Sequence, residues 1–316
     1  MLTVLVATRN GAATLPRVLH SYTALYPPPG GWKVVVVDNG SDDDSPRIVR
    51  SFADRLPLVC VSEPRRGKNR ALNRGLRELD GDLAVFSDDD TVPDPDWLRR
   101  LRDAADQRPE HAVFAGRICP LWETEPSEWV RQWVRLAPVF GVSDAGWDDG
   151  PCEPTRVWGP NMAVRAPVFA RGHRFDEHRG PDGSSRYAMG GETEFVLRVT
   201  IAEGLACWYC KDARVRHIVP AAKMTRAWIL RRAFRLGRCV YRESRQKAAA
   251  GRAHVVRDAP AIAGALARET FRLASASGFR DARGTFEARW ELNLWIGCLF
   301  EALNPRRRHL GAGIRA

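Results

Sequence analysis

Three consecutive carboxylates, Asp88-Asp89-Asp90, close an apolar run at residues 83–87. Like charges in a row are costly to hold unless a cation sits among them. In an extended backbone Asp88 and Asp90 point the same way, a spacing that can clamp a hard divalent ion. Helix capping is the competing reading, but Asp94 and Asp96, ahead of Trp97, stand better for it. Asp38 follows four valines, and a carboxylate at such a strand end can accept hydrogen bonds from a ribose hydroxyl or a base N–H. An Asx turn at Asp38-Asn39-Gly40 is the alternative. Between Arg65 and Gly75, Gly67 and Lys68 open a basic helical pattern whose backbone N–H groups, dipole and ammonium suit a phosphate. A solvated helix face would read the same way. Neither a Walker loop nor a G-x-G-x-x-G after the first strand is present, so ATP hydrolysis of that kind and dinucleotide binding have no motif here. Farther on, Gly190-Gly191-Glu192-Thr193-Glu194 puts two acids at a helix start. They can complement the helix dipole, or, because a Gly pair lets backbone approach a ligand closely, one can act as a general base.

These residues need a scaffold, and the hydropathy pattern supplies one. Strand-like runs at 2–7, 33–37, 58–61 and 83–87 alternate with helical spacing at 15–25, 48–52 and 71–79. The fold class is α/β, with a Rossmann-like, mostly parallel central sheet flanked by helices. Ligands bind outside the carboxyl ends of such strands, so the polar clusters after strands 1, 2 and 4 should converge on one crevice. A second half has strand-like segments at 112–115, 161–164 and 207–209 and a helix at 194–203. Beyond Pro220 the chain reads as helical, including a run at 258–303. The expected divisions are 1–111, 112–220 and a basic helical region at 221–316.

Hydrophobic residues make up 44% of the 316 and charged residues 28%, a globular composition. No apolar run approaches the roughly 18–20 residues of a bilayer crossing, and the N-terminus lacks the basic region of a signal peptide, so a cytoplasmic protein is expected. Seven scattered cysteines suit reduced thiols. The single C-x-x-C, Cys207 to Cys210, is read as core packing rather than a zinc or redox site. The net charge of +11 is uneven: residues 211–316 carry 23 basic and 8 acidic groups, while residues 1–210 carry 26 and 30. That asymmetry fits either an anionic partner or solvated Arg-rich helices. Arg226, Arg231, Arg232, Arg235 and Arg238 alternate with Trp228, Ile229, Phe234 and Leu236, and Arg306-Arg307-Arg308 lies near the end. Such a stretch could lie on an anionic membrane surface, placing the protein peripherally on its inner face, or pack on the body. Five tryptophans, at 122, 129, 133, 147 and 158, offer flat faces for an acceptor, with core packing expected for most of them.

The ordered set Ala7-Thr8-Arg9-Asn10, Val37-Asp38-Asn39-Gly40-Ser41-Asp42, Gly67…Ala71…Asn73…Gly75, Phe86 to Asp90, Gly159-Pro160-Asn161-Met162-Ala163, Gly190 to Phe195 and Val215-Arg216-His217 resembles the family 2 glycosyltransferases, inverting enzymes of GT-A fold that use nucleotide-diphosphate sugars. The resemblance covers residues 1–220. It implies that Thr8, Asn10 and Asp38 line the nucleoside pocket and that Asp88 lies near the ribose and donor. The donor-binding set it implies also includes Arg9, Asn39, Gly67, Lys68, Asn73 and Asp89. Asp90 matches the ligand of Mg²⁺ or Mn²⁺, with Asp88 and His217 completing the metal set. Glu192 falls on the base position, and Glu194 is the runner-up because this segment is one residue short of the common Glu-Asp-Thr-Glu. UDP-sugars are the favoured donors. The acceptor, whether a glycan, a lipid-linked molecule or a small molecule, is left open, and nucleic acid is not the expected partner. A sugar nucleotidyltransferase would need a fuller Gly- and Arg-rich loop after strand 1. A non-enzymatic binder of nucleic acid or anionic surfaces would have no use for Asp88–Asp90.

Overall fold

A computed structural model describes residues 1–184, 186–249 and 259–304; the arginines at 306–308 lie outside them. The chain divides into two compact units, Met1–Lys223 and Met224–Ala316.

The first unit opens with β1 (Leu2–Thr8), α1 (Leu15–Tyr22), β2 (Trp32–Asp38), α2 (Ser45–Arg50), β3 (Leu58–Ser62), α3 (Lys68–Gly75) and β4 (Leu83–Asp88). All four strands are parallel, with β1 between β2 and β4 and β3 outside β2. The valines of β2 explain why a continuous apolar run is needed. Val34 and Val36 enter one hydrophobic core, Val35 and Val37 the other, and all four are fully buried. Register sets Thr8 opposite Asp38, Ala7 opposite Asp88 and Asp38 opposite Ser62, so the carboxyl ends form one level edge.

The unit continues with β5 (Thr91–Pro93), α4 (Trp97–Gln107), β6 (His111–Trp122), α5 (Glu128–Trp133), α6 (Leu136–Phe140), β7 (Gly150–Cys152), β8 (Met162–Arg165), α7 (Ala166–Ala170), α8 (Gly191–Glu203) and β9 (Ala206–Val219). One sheet runs β3-β2-β1-β4-β8-β6-β9-β5, with β7 also paired to β9. Its second half is mixed: β8 is antiparallel to β4 and β6, and β5 and β7 are antiparallel to β9. The segments expected at 112–115 and 207–209 are only the buried starts of β6 and β9. Past Gly116 the register jumps, Gly116 facing Cys210 and Arg117 facing Arg214, so β9 bulges by three residues. Buried Asn161 braces the bulge, donating to the carbonyls of Arg117 (3.0 Å) and Ala213 (2.7 Å) and accepting from the Trp97 indole (2.8 Å). Beyond it, β9 carries His217 alongside Thr91.

Cys207 and Cys210 are both free thiols in β9. Three residues apart on a strand they face opposite ways, and each joins a different core, as packing predicts.

The second unit contains α9 (Arg226–Ala249), α10 (Ala259–Gly278) and α11 (Ala282–Leu303). The run expected at 258–303 is therefore two helices. Arg280, at φ 53°, turns the chain, and Asp281 caps α11 by accepting from the Gly284 N–H at 2.9 Å. Helices α9 and α11 meet through glycines. A Cβ on Gly237 would fall 2.7 Å from the Leu294 carbonyl carbon, and one on Gly297 would fall 3.0 Å from that of Phe234. Beside this contact the buried Arg238 and the half-buried Arg242 pair with Glu301, at 2.8 and 2.6 Å. Of the arginines read as either lying on an anionic surface or packing inward, Arg238 is therefore an internal residue, 3% exposed. Among the described residues no helix is long and apolar enough to cross a membrane.

Candidate active site

The carboxyl edge of the sheet gathers the acids, and each meets a different partner. Asp88 accepts from Lys68 Nζ at 2.6 Å, Asp89 from the Thr8 hydroxyl at 2.6 Å, and Asp90 lies 3.1 Å from both Lys223 Nζ and His217 Nε2. These partners answer the repulsion expected of three adjacent carboxylates. Burial, then the charge of Asp90, pushes the Asp89 carboxyl up to about 7, against the pull of the Thr8 hydrogen bond. Burial acts on Asp90 in the same sense, but His217 and Lys223 outweigh it and hold its carboxyl well below the usual range.

His217 Nδ1 lies 2.6 Å from the Phe140 carbonyl. A carbonyl only accepts, so Nδ1 carries the proton, and Nε2 is the atom turned to Asp90. A carboxylate beside an imidazole nitrogen whose partner nitrogen is anchored to backbone is a fitting pair of cation ligands. The expected third member does not join them. Lys68 draws the Asp88 carboxylate to itself, and among the described residues no three His, Cys, Asp or Glu side chains form a cation-ligand group.

Lys68 begins α3, and its ammonium also bonds Glu192 Oε1 at 2.6 Å. It is thus bracketed by a carboxylate from β4 and one from α8. Burial disfavours the ammonium, but Asp88 and Glu192 more than offset this and raise its pKa above the ordinary lysine value. The approach of α8 depends on the chain ahead of it. Asn69 donates to the Asp176 carbonyl (2.7 Å), Asn73 exchanges two 2.9 Å bonds with the Phe175 backbone, and the Lys68 N–H donates to the Pro181 carbonyl (2.9 Å). Left-handed Gly190 then starts α8. Glu194 points elsewhere: it is 7% exposed and accepts from Arg198 at 3.0 Å.

Several residues of the expected donor set also make contacts that brace the fold. Asn39 is buried, donates to the carbonyls of Glu63 and Arg65 and accepts from the Gly67 N–H, all at 2.8 Å. Asn73 is engaged as above. The amides of Gly67 and Lys68, expected to face a phosphate, therefore already have protein acceptors. Asp38 accepts from the Ser41 N–H at 3.2 Å, the turn contact allowed for it, while remaining half-buried beside Thr8. Arg9 donates to the Gly40 carbonyl at 3.3 Å, and Asn10, at φ 55°, accepts from the Asp42 N–H at 2.8 Å. Lys223 was not singled out in the sequence. Its only signal was scarcity, as one of five lysines among 49 basic residues. All five tryptophans between 122 and 158 are half-buried. Trp147 packs against Trp158 and Tyr209, Trp122 against Phe140, and Trp129 against Trp133.

Comparison with known proteins places the chain in a family. The family model for glycosyl transferase family 2 matches residues 3–172. The chain belongs to that family. Among its relatives, a glucosyl-dolichyl phosphate glucuronosyltransferase of Haloferax volcanii is 23% identical over 203 residues, 64% of each chain. The match thus spans a little under two thirds of that relative's length. The succinoglycan biosynthesis protein ExoM of Rhizobium meliloti is 26% identical over 261 residues, 81% of this chain and 78% of ExoM. Among solved structures, the mannosyltransferase PcManGT of Pyrobaculum calidifontis, in complex with GDP-Man and Mn²⁺, superposes with a TM-score of 0.63 at 22% identity, covering 95% of this chain and 87% of its own. This family 2 glycosyltransferase has the GT-A fold, an α/β architecture built on the central sheet described above.

Proposed function

We propose that this family 2 glycosyltransferase is an inverting enzyme, moving a sugar from a nucleoside-diphosphate sugar to an acceptor hydroxyl in one displacement. The observation that carries this reading is the Lys68 bridge, which ties the carboxylate edge of the sheet to Glu192. Residues 1–111 would hold the donor, with Thr8, Arg9, Asn10 and Asp38 around the nucleoside. Residues 112–220 would supply the base and the acceptor side, where a half-buried tryptophan gives a flat surface for a ring. The acceptor oxygen forms a bond to the anomeric carbon as the bond to the diphosphate oxygen breaks. Its proton passes to Glu192, and the configuration inverts. Asp90 and His217 would hold a divalent cation, Mn²⁺ or Mg²⁺, which when bound would neutralise charge on the departing diphosphate. The GDP-Man and Mn²⁺ of the mannosyltransferase support this assignment.

A thermal-shift screen of UDP-, GDP- and dTDP-sugars with Mn²⁺ should identify one nucleotide class that raises the melting temperature, because a ligand of the native state stabilises it by mass action. UDP-sugars are the first candidates. Chelator should abolish both the shift and nucleoside-diphosphate release. A protein shifted by none of the three, or one that turns over donor equally well in chelator, would contradict the reading. A nucleic-acid binder would instead show only affinity that falls steeply with salt.

The name of the Haloferax relative includes a dolichyl phosphate, and a lipid-linked acceptor would make surface binding useful here. Arg231 is exposed, Arg232 and Arg235 lie near the Trp228 ring, and Phe271 and Phe279 are 73% and 87% exposed in the same unit. Anionic liposomes at low salt should therefore co-sediment the protein, with each basic group adding about 1 kcal/mol. Charge reversal at Arg231, Arg232 and Arg235 should weaken binding without changing donor hydrolysis. Absence of binding at low salt would remove the membrane from the picture.

A further inference from the structure

Gly159 lies immediately ahead of Pro160 and Asn161, and its φ is not among the positive values that call for glycine. Backbone conformation therefore does not explain the missing side chain. Space does. A Cβ built on Gly159 would meet Glu192 and nothing nearer: its Oε1, its Cδ at 2.6 Å and its Cγ at 2.8 Å. Real Cβ atoms do not approach other atoms so closely, so the Glu192 side chain would have to leave its place. The colliding atoms are the far end of a flexible side chain, so the strain would fall on the position of the carboxylate rather than on the fold.

We propose that Gly159 is a positioning residue that seats the Glu192 carboxylate. This deepens the assignment of Glu192 as base and rests on it. Two features define the seat. On one side the chain at Gly159 leaves room for the arm of Glu192, and on the other Lys68 Nζ holds Oε1 at 2.6 Å. Deeper in the unit, Asn161 ties the same turn to β6 and to the β9 bulge, so the wall of the seat is fixed to the sheet. The acid on α8 is thus held against a rigid turn and a lysine fixed to α3, which sets where its oxygens can meet an acceptor proton.

The test is Gly159→Ala, alone and combined with Glu192→Asp, whose arm is one methylene shorter. Release of nucleoside diphosphate is followed with whichever of UDP-glucose, UDP-N-acetylglucosamine and GDP-mannose the wild type hydrolyses in Mn²⁺. A displacement of about 1 Å at a reacting group can cost about 10²-fold. Gly159→Ala should therefore lower kcat about 10²-fold, leave the donor KM within about twofold, and leave the donor-induced thermal shift intact. In the Glu192→Asp background the same change should cost less than about threefold, since the neighbour it displaces has been shortened. Equal losses in both backgrounds, unchanged kcat in the single variant, or a raised KM at constant kcat would each overturn the proposal. If Gly159→Ala does not fold alone, the double variant should fold, and its failure to do so would count equally against the seat. Glu192→Gln, assayed in parallel, separates the two ideas. Full turnover in that variant removes the base, whereas a silent Gly159→Ala beside an inactive Glu192→Gln removes only the seat.

Discussion

Glu192→Gln should still bind donor yet lose turnover by about 10²- to 10⁴-fold, the usual cost of removing a positioned base. Glutamine keeps the size and an oxygen for Lys68 to bond, so the Lys68 contact and the helix start survive while proton acceptance is lost. The expected signature is an unchanged thermal shift by the sugar nucleotide alongside a collapse of kcat. Glu194→Gln is the control. Its carboxylate is buried against Arg198, so the change should lower the melting temperature and spare kcat. If Glu194→Gln instead abolishes turnover while Glu192→Gln does not, the base is the second acid of the helix.

Asp90→Asn should be nearly as damaging, by about 10³-fold, but through a different parameter. The substitution removes the charge that faces Lys223 and His217 and, on the proposed reading, a ligand of the divalent ion. Stabilisation of developing charge by a bound cation amounts to several kcal/mol, and each 1.4 kcal/mol is about tenfold in rate. Turnover measured against Mn²⁺ concentration should move to a higher midpoint and a lower plateau. The donor-induced thermal shift should lose its dependence on Mn²⁺. If the midpoint stays at its wild-type concentration, Asp90 is not a ligand and the ion sits elsewhere.

The parallel half of the sheet was legible because β2 and β4 are buried on both faces, and only unbroken apolar runs satisfy that. Their terminal acids then fall on one edge by register alone. The other half was hidden for the same physical reason in reverse. Beyond the bulge, β6 and β9 are half-buried and carry Arg117, Arg214 and Arg216, so they lack a strand's apolar run. The break at 279–281 was masked because exposed Phe279 continues the apolar spacing of α10. Within the site, Asp88, Asp90 and the Glu192–Glu194 pair stood out by residue type and spacing, whereas His217 and the preference for Glu192 came only from the family resemblance. Asn39 and Asn73 sit in the expected pattern, yet their amides are engaged by backbone 24 to 102 residues away. Spacing along the chain carries no trace of such distant acceptors. Lys223 was missed for a related reason: a lone lysine just before a basic helix looks like any other solvated charge.

The glycine contact between α9 and α11 bears on the order in which the second unit forms. Helices α10 and α11 are joined by a three-residue turn and can find one another early, because closing so short a loop loses little chain entropy. Gly237 and Leu294 are far apart in sequence, and their meeting leaves no side chain between the two backbones to tolerate a slipped register. Docking of α9 therefore has a single solution, with Arg238 and Arg242 reaching Glu301 only when that solution is found. Truncations that end before α11 should leave Arg238 and Arg242 without the Glu301 carboxylate and α9 with a bare glycine groove. A folding intermediate lacking only this step would expose the same surface and be prone to aggregate.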